Sequence, residues 1–146
     1  MDGTFGITTT HSPRVSTALL AIRIASALAF LYHGAAITFG AFGGPGPAGF
    51  AGFMHMPVSV GYLVGLAQFA GGLAMLIGAF IRVAAVCLII VMLGAIFLVH
   101  LPHGFDITRG GLEYALTQLL VAFALLLTGP GAYSLAASLP ASLRRL

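Results

Sequence analysis

Residues 83–101 read VAAVCLIIVMLGAIFLVHL, nineteen positions with no acidic or basic side chain before His100. Coiled as a helix at 1.5 Å per residue, the stretch spans about 28 Å, close to the roughly 30 Å of hydrocarbon in a bilayer. It is apolar on every side, which suits a helix immersed in lipid. Three further segments have the same character: Val15 to Phe39, Val58 to Ile81 and Gly111 to Thr128. The whole chain of 146 residues is 60% apolar and 6% charged, where a soluble domain carries about a quarter charged residues. So few charges cannot coat a water-facing surface, and they equally exclude a disordered chain. Lipid offers the backbone no hydrogen bonds, so helices are the expected form of each span.

The reading is therefore all-α: an integral membrane four-helix bundle with short loops. Gly43-Gly44-Pro45-Gly46-Pro47 opens a loop of about seventeen residues, and Pro57 suits the first turn of the next span. Pro102-His103-Gly104 closes the third span and Gly129-Pro130-Gly131 the fourth. Residues 1–14 form a polar head, 15–131 the membrane domain and 132–146 a short cytoplasmic tail. In that tail Leu135, Leu139 and Leu143 recur every fourth residue, as in a short amphipathic turn along the membrane. Segment one also has features of a signal peptide, but Arg23 interrupts its apolar core and it is too long.

All six basic residues are arginine. Arg14, Arg82 and the Arg144-Arg145 pair fall on one side of a four-span topology, whereas the other side has Arg109 offset by Asp106. The positive-inside rule then places both termini in the cytoplasm, N-in/C-in. Six scattered arginines form no basic stripe, so the net charge of +3 reflects topology and no nucleic-acid partner is expected. The single cysteine, Cys87, excludes an internal disulfide or a C-x-x-C pair.

An ionisable side chain inside a span is expensive and marks a candidate site. Arg23 lies about eight residues, or about 12 Å, from the inner end of segment one, and Gln68 is near the middle of segment two. Together they form a candidate midplane pair. Gly61, Gly65, Gln68 and Gly72 share one face of small residues, the kind that lets membrane helices approach closely. His33, His100 and Glu113 lie near the outer ends of three spans, and His103, Asp106 and Arg109 occupy the adjoining loop. These six form a candidate outer polar cluster. Each has a plainer reading: interhelical glue for Arg23 and Gln68, interfacial residues for the histidines, and a helix-dipole partner for Glu113. Met54-His55-Met56 has the soft ligands of a copper(I) site, but loop packing is the simpler account, and no metal is expected.

Several stretches in order resemble the DoxX family of small bacterial membrane proteins. They are Ile22-Arg23-Ile24 with Phe30-Leu31-Tyr32-His33-Gly34, then Gly49-Phe50 to Met54 with Gly61-Tyr62-Leu63. Gly71-Gly72-Leu73-Ala74 with Gly78 and Arg82 follows, then Ala95-Ile96-Phe97-Leu98-Val99-His100 with Gly104-Phe105. Last come Gly110-Gly111-Leu112-Glu113-Tyr114 and Gly129-Pro130-Gly131-Ala132-Tyr133-Ser134-Leu135. The resemblance covers residues 17–136. Two positions depart from it: Gln68 stands where the family commonly has glutamate, and Ala136 where an aspartate often follows.

The resemblance implies a multi-pass protein of the bacterial inner membrane. It also implies association with membrane redox or sulfur metabolism, as in thiosulfate:quinone oxidoreductase-type complexes, and with soluble thiol or superoxide-detoxifying partners. Three functions are consistent with the residues: an accessory or anchoring subunit of a membrane redox complex, a quinone- or haem-binding oxidoreductase unit, and a small transporter or channel. No motif supplies a complete catalytic apparatus.

Overall fold

In a computed structural model, residues 12–140 and 142–143 are described. The head through residue 11 and the Arg144-Arg145 pair lie outside them. The described residues form five α-helices and no strand: α1 Pro13–Phe39, α2 Gly46–Met54, α3 Val58–Ile77, α4 Ile81–Ala95 and α5 Glu113–Thr128. A π turn, Ile96–His100, and a 3-10 turn, Leu101–His103, continue α4. Three helical segments are long and apolar enough to cross a membrane: Pro13–Phe39, Val58–Ile77 and Ile81–His103. Apolar α5 is shorter.

Local chemistry sets these boundaries. Ser12 accepts from the Val15 amide and Pro13 fills the first position, so α1 begins ahead of the expected Val15. Gly78, at φ +72°, ends α3 four residues before the expected Ile81. The expected seventeen-residue loop holds a helix of its own. Pro47 sits in the first turn of α2, where its missing N–H costs nothing, and α2 packs on α3 and α1. α5 begins at Glu113 instead of Gly111 because the preceding loop folds under it. The Gly111, Leu112 and Glu113 amides donate to the carbonyls of Asp106, Gly104 and Phe105. These bonds take the place of a further helical turn. The tail also differs from an amphipathic turn: Leu135–Ser138 is a short 3-10 segment whose Ala136 amide donates to the Gly78 carbonyl.

Small residues make up much of the interior, beside a core of Phe30, Met75, Leu88 and Leu125, and many large apolar side chains lie on the exterior. Ser16, Ser26, Ala27, Gly34, Gly61, Gly65, Ala84, Ala85, Ala115 and Ala122 are buried, whereas Leu28, Leu63, Ile90, Phe97, Leu120 and Leu127 point outward. A soluble protein would not expose so many large apolar side chains; in lipid, tails surround them and helices associate through small residues. α1 and α3 make the most extensive contact. Gly34 of α1 lies against the Phe69 backbone, Gly65 against Thr38, and Gly72 against Ala27 and Leu31. Later residues of one helix meet earlier ones of the other, so the two run antiparallel. The predicted face of Gly61, Gly65, Gln68 and Gly72 is the buried face. α4 packs on α5 and α3, while α1 and α5 touch little.

The Arg23 guanidinium holds one end of this array together. It is 1% exposed. Nε donates to the Met75 carbonyl at 2.8 Å and one terminal nitrogen to Leu76 at 3.1 Å. The other terminal nitrogen donates to Pro130 and Tyr133, each at 2.7 Å. Met75 and Leu76 carry carbonyls of the last turn of α3, which have no helical partner and form the negative end of the helix dipole. Pro130 and Tyr133 belong to the segment after α5. This overturns the expected midplane pairing of Arg23 with Gln68: all four hydrogen bonds of the guanidinium go to main-chain carbonyls. The physical reason is that helix ends and an irregular loop offer concentrated unpaired acceptors, whereas Gln68 offers a single neutral one. Around this point, Ser16 Oγ accepts from the Ala132 amide, and a side chain at Gly78 would collide with Arg23 and Ser134.

Two outcomes follow. Replacing Arg23 by leucine leaves four carbonyls without their donor and is expected to destabilise the protein by about 1–3 kcal/mol for each carbonyl that stays buried and unpaired. Arg23→Lys recovers only part of this, since an ammonium cannot reach four acceptors in a plane. Thermal unfolding in mild detergent measures both. Gly34→Ala, whose Cβ lands on the Phe69 backbone, is expected to part α1 from α3 and lower the unfolding temperature. Gly94→Ala meets no atom within 4 Å and is expected to be neutral or stabilising by up to about 1 kcal/mol.

Candidate functional site

Arg23 draws the segment after α5 onto α1 at one end of the array. Toward the other end, which carries α2, the helices enclose a cavity of about 500 Å³. That volume is in the range of small-molecule sites, which are typically apolar with a few placed polar groups. All five helices contribute to the wall. Phe30, Ile37, Phe50, Phe53, Met54, Val64, Met92 and Leu98 give it an apolar surface. Five residues give it polar groups: His33 from α1, Gln68 from α3, His100 from the π turn, and Tyr114 and Gln118 from α5.

Sequence spacing alone separates these five by up to three helices; the fold brings them to one volume. His33 lies edge-on to Tyr32, their rings 5.5 Å apart, and Tyr32 stacks on Phe42 at 4.9 Å. Gln68 is 5% exposed, on the buried face of α3 but two turns from the end that Arg23 holds. A π turn widens the helix by one residue and commonly marks a functional site; here it carries Leu98, Val99 and His100 on the cavity wall. His100 Nδ1 is 2.7 Å from the Gly110 carbonyl oxygen. A carbonyl only accepts, so Nδ1 carries the proton and, in the neutral ring, Nε2 is the accepting nitrogen.

Gln118 is the residue that sequence reading passed over. It is 8% exposed, and its Oε1 is buried with no partner. One signal was present: an amide in the apolar run from Leu116 to Leu127, one turn after Tyr114.

The expected outer cluster divides in two. His33 and His100 face the cavity. His103, Asp106, Arg109 and Glu113 serve the loop before α5. His103 Nδ1 lies 2.9 Å from the Val99 carbonyl, and Glu113 accepts from the Ile107 amide at 3.3 Å. Asp106 accepts from both the amide and the hydroxyl of Thr108 at 2.8 Å, and its other oxygen is 3.9 Å from Arg109. The two bonds from Thr108 hold the Asp106 carboxyl below the usual carboxylate range. Among the described residues, no group of three or more His, Cys, Asp or Glu side chains is arranged to hold a metal ion. The Met54-His55-Met56 run also separates: both methionines line the cavity, while His55 is exposed and closes α2 in the left-handed conformation. Cys87 points outward from α4.

No curated protein and no protein of solved structure matches the chain. The family model described as DoxX matches residues 18–101, from the first helix through the π turn. That stretch is more than half of the chain and includes Arg23, His33, Gln68 and His100. Taken with its long apolar helices, the match places the protein as a multi-pass membrane member of the DoxX family.

Proposed function

We propose that the protein is a subunit of a membrane redox complex and that its cavity holds a lipophilic, quinone-type electron carrier. The observation that carries this is the cavity itself: about 500 Å³, walled by apolar side chains and reached by five polar ones. A quinone has a ring with two oxygens on an apolar tail, and the wall offers matching groups. Gln68, Tyr114, Gln118 and His100 would meet the oxygens, and the phenylalanines, methionines and valines would hold the ring and tail. When bound, such a carrier supplies two-electron chemistry coupled to protons. With Nδ1 held by the Gly110 carbonyl, His100 leaves Nε2 as the ring nitrogen that would meet the carrier.

The chain has one cysteine and no C-x-x-C pair, so a thiol partner would bring its own dithiol. This supports an accessory place in a complex, with a partner delivering electrons. With α5 as a fourth span, the topology is N-in/C-in in a bacterial inner membrane, and the cavity opens toward the outer half of the bilayer. Transport through Arg23 and Gln68 loses its basis, because the two lie apart and Arg23 is committed to carbonyls.

Gly94 provides a test, since it lines the cavity and has open space where a side chain would begin. In lipid nanodiscs, a short-tailed benzoquinone is expected to raise the unfolding temperature of the wild type. Gly94→Phe, which fills the cavity, is expected to fold normally and lose that response. An equal response from both proteins, or none from the wild type, overturns the reading. Affinity purification in mild detergent is expected to bring down a redox-active partner.

A further inference from the structure

Among the described residues, six glycines lie inside the four longer helices: Gly34, Gly61, Gly65, Gly71, Gly72 and Gly94. Five of them let a neighbour come close. A side chain in their place would strike Phe69, Pro47, Thr38, Leu88 or Leu31. Gly94 is the exception, since a side chain there would meet no atom within 4 Å. Glycine is less favourable than alanine inside a helix, and close packing usually accounts for it. No packing within the fold accounts for Gly94. The other use of such a glycine is to let a ligand lie against the backbone.

Gly94 lines the cavity together with Ile90 and Leu98, each four residues away. Steps of four put the three on one side of the helix. Ile90 is 64% exposed and Leu98 59%, more than the wall of a closed cavity would show. The cavity therefore reaches the outer surface of the protein along this strip, and Gly94 is a notch in its edge. Ile90 is the tenth residue of the 23-residue span Ile81–His103. The strip thus starts near the middle of the membrane and rises about 12 Å toward the π turn. At that depth the notch faces hydrocarbon, not water. His33 and Tyr114 also line the cavity and are exposed, but they are polar and lie nearer the ends of their helices.

A cavity of about 500 Å³ suits a compact molecule. A tail of bilayer length cannot be enclosed in it and must leave. We propose that Gly94 is the positioning residue where that tail crosses α4, so that the cavity takes a long-tailed carrier dissolved in the membrane, head inside and tail in the lipid. This rests on the reading of the cavity as a quinone-type site. It adds the class of carrier and its route, sideways from the bilayer.

The test uses the full chain in nanodiscs loaded with a short-tailed or a polyprenyl benzoquinone, each counted as molecules per lipid. The loading that gives half of the rise in unfolding temperature is the readout. Wild type is expected to respond to both at similar loading, because the tail stays in lipid throughout. Gly94→Ala adds one methyl group to the notch. It is expected to keep the response to the short-tailed probe and to need about tenfold more of the polyprenyl one, the cost of crowding a tight contact. Gly52→Ala in α2 is the control, since Gly52 also has open space and does not line the cavity; it is expected to match the wild type with both. A polyprenyl probe that fails on the wild type, or that acts equally on wild type and Gly94→Ala, overturns the exit at Gly94 and leaves the cavity reading standing. If neither probe acts on the wild type, both fall together.

Discussion

One buried guanidinium determines how the helices meet. A cation in lipid must be neutralised or fully hydrogen-bonded, and Arg23 meets that demand with four main-chain carbonyls from two remote parts of the chain. The same carbonyls need donors, because helix ends and loops at membrane depth cannot leave theirs unpaired. The cost of burying the charge and the cost of interrupting the backbone thus offset each other. The arrangement needs Gly78 without a side chain, the turn after α5, and Ser16 to catch the Ala132 amide. Arg23 gathers the elements at one end, and the cavity lies toward the other.

Much of this architecture was legible in the sequence. Apolar stretches of span length gave the long helices, and Gly-Pro punctuation gave their connections. The spacing of Gly61, Gly65, Gln68 and Gly72 identified the face of α3 that packs on α1, because helical periodicity and the small size of glycine are properties of single positions. The place of α2 was not legible, since a nine-residue helix that starts at Gly46-Pro47 is stabilised by packing on its neighbours and not by its own propensity.

The site was legible only in part, and the reason differs by residue. Arg23 stood out as a charge in a span, but its partners are carbonyls, which every residue has, so no side-chain pattern pointed to them. His33 and His100 were found by being ionisable near helix ends. His103, Asp106, Arg109 and Glu113 shared that description, and only the fold shows that they tie their own loop together. Gln118 has no charge to betray it. Its significance comes from a hydrogen bond it does not make, which becomes visible only when every neighbour has been placed.

The order in which Arg23 and its partners occur along the chain bears on biogenesis. The arginine lies in the first helix, 107 and 110 residues ahead of the Pro130 and Tyr133 carbonyls that receive it. During synthesis the first helix therefore enters the membrane with a cation that has none of its eventual acceptors, and α3 later supplies only the Met75 and Leu76 carbonyls. The last two arrive after α5. Until then the first helix must keep its charge near water or lipid headgroups. Closing the fold is thus a late event that draws the arginine inward, and the segment after α5, which looks like a peripheral tail, carries the step that completes the protein.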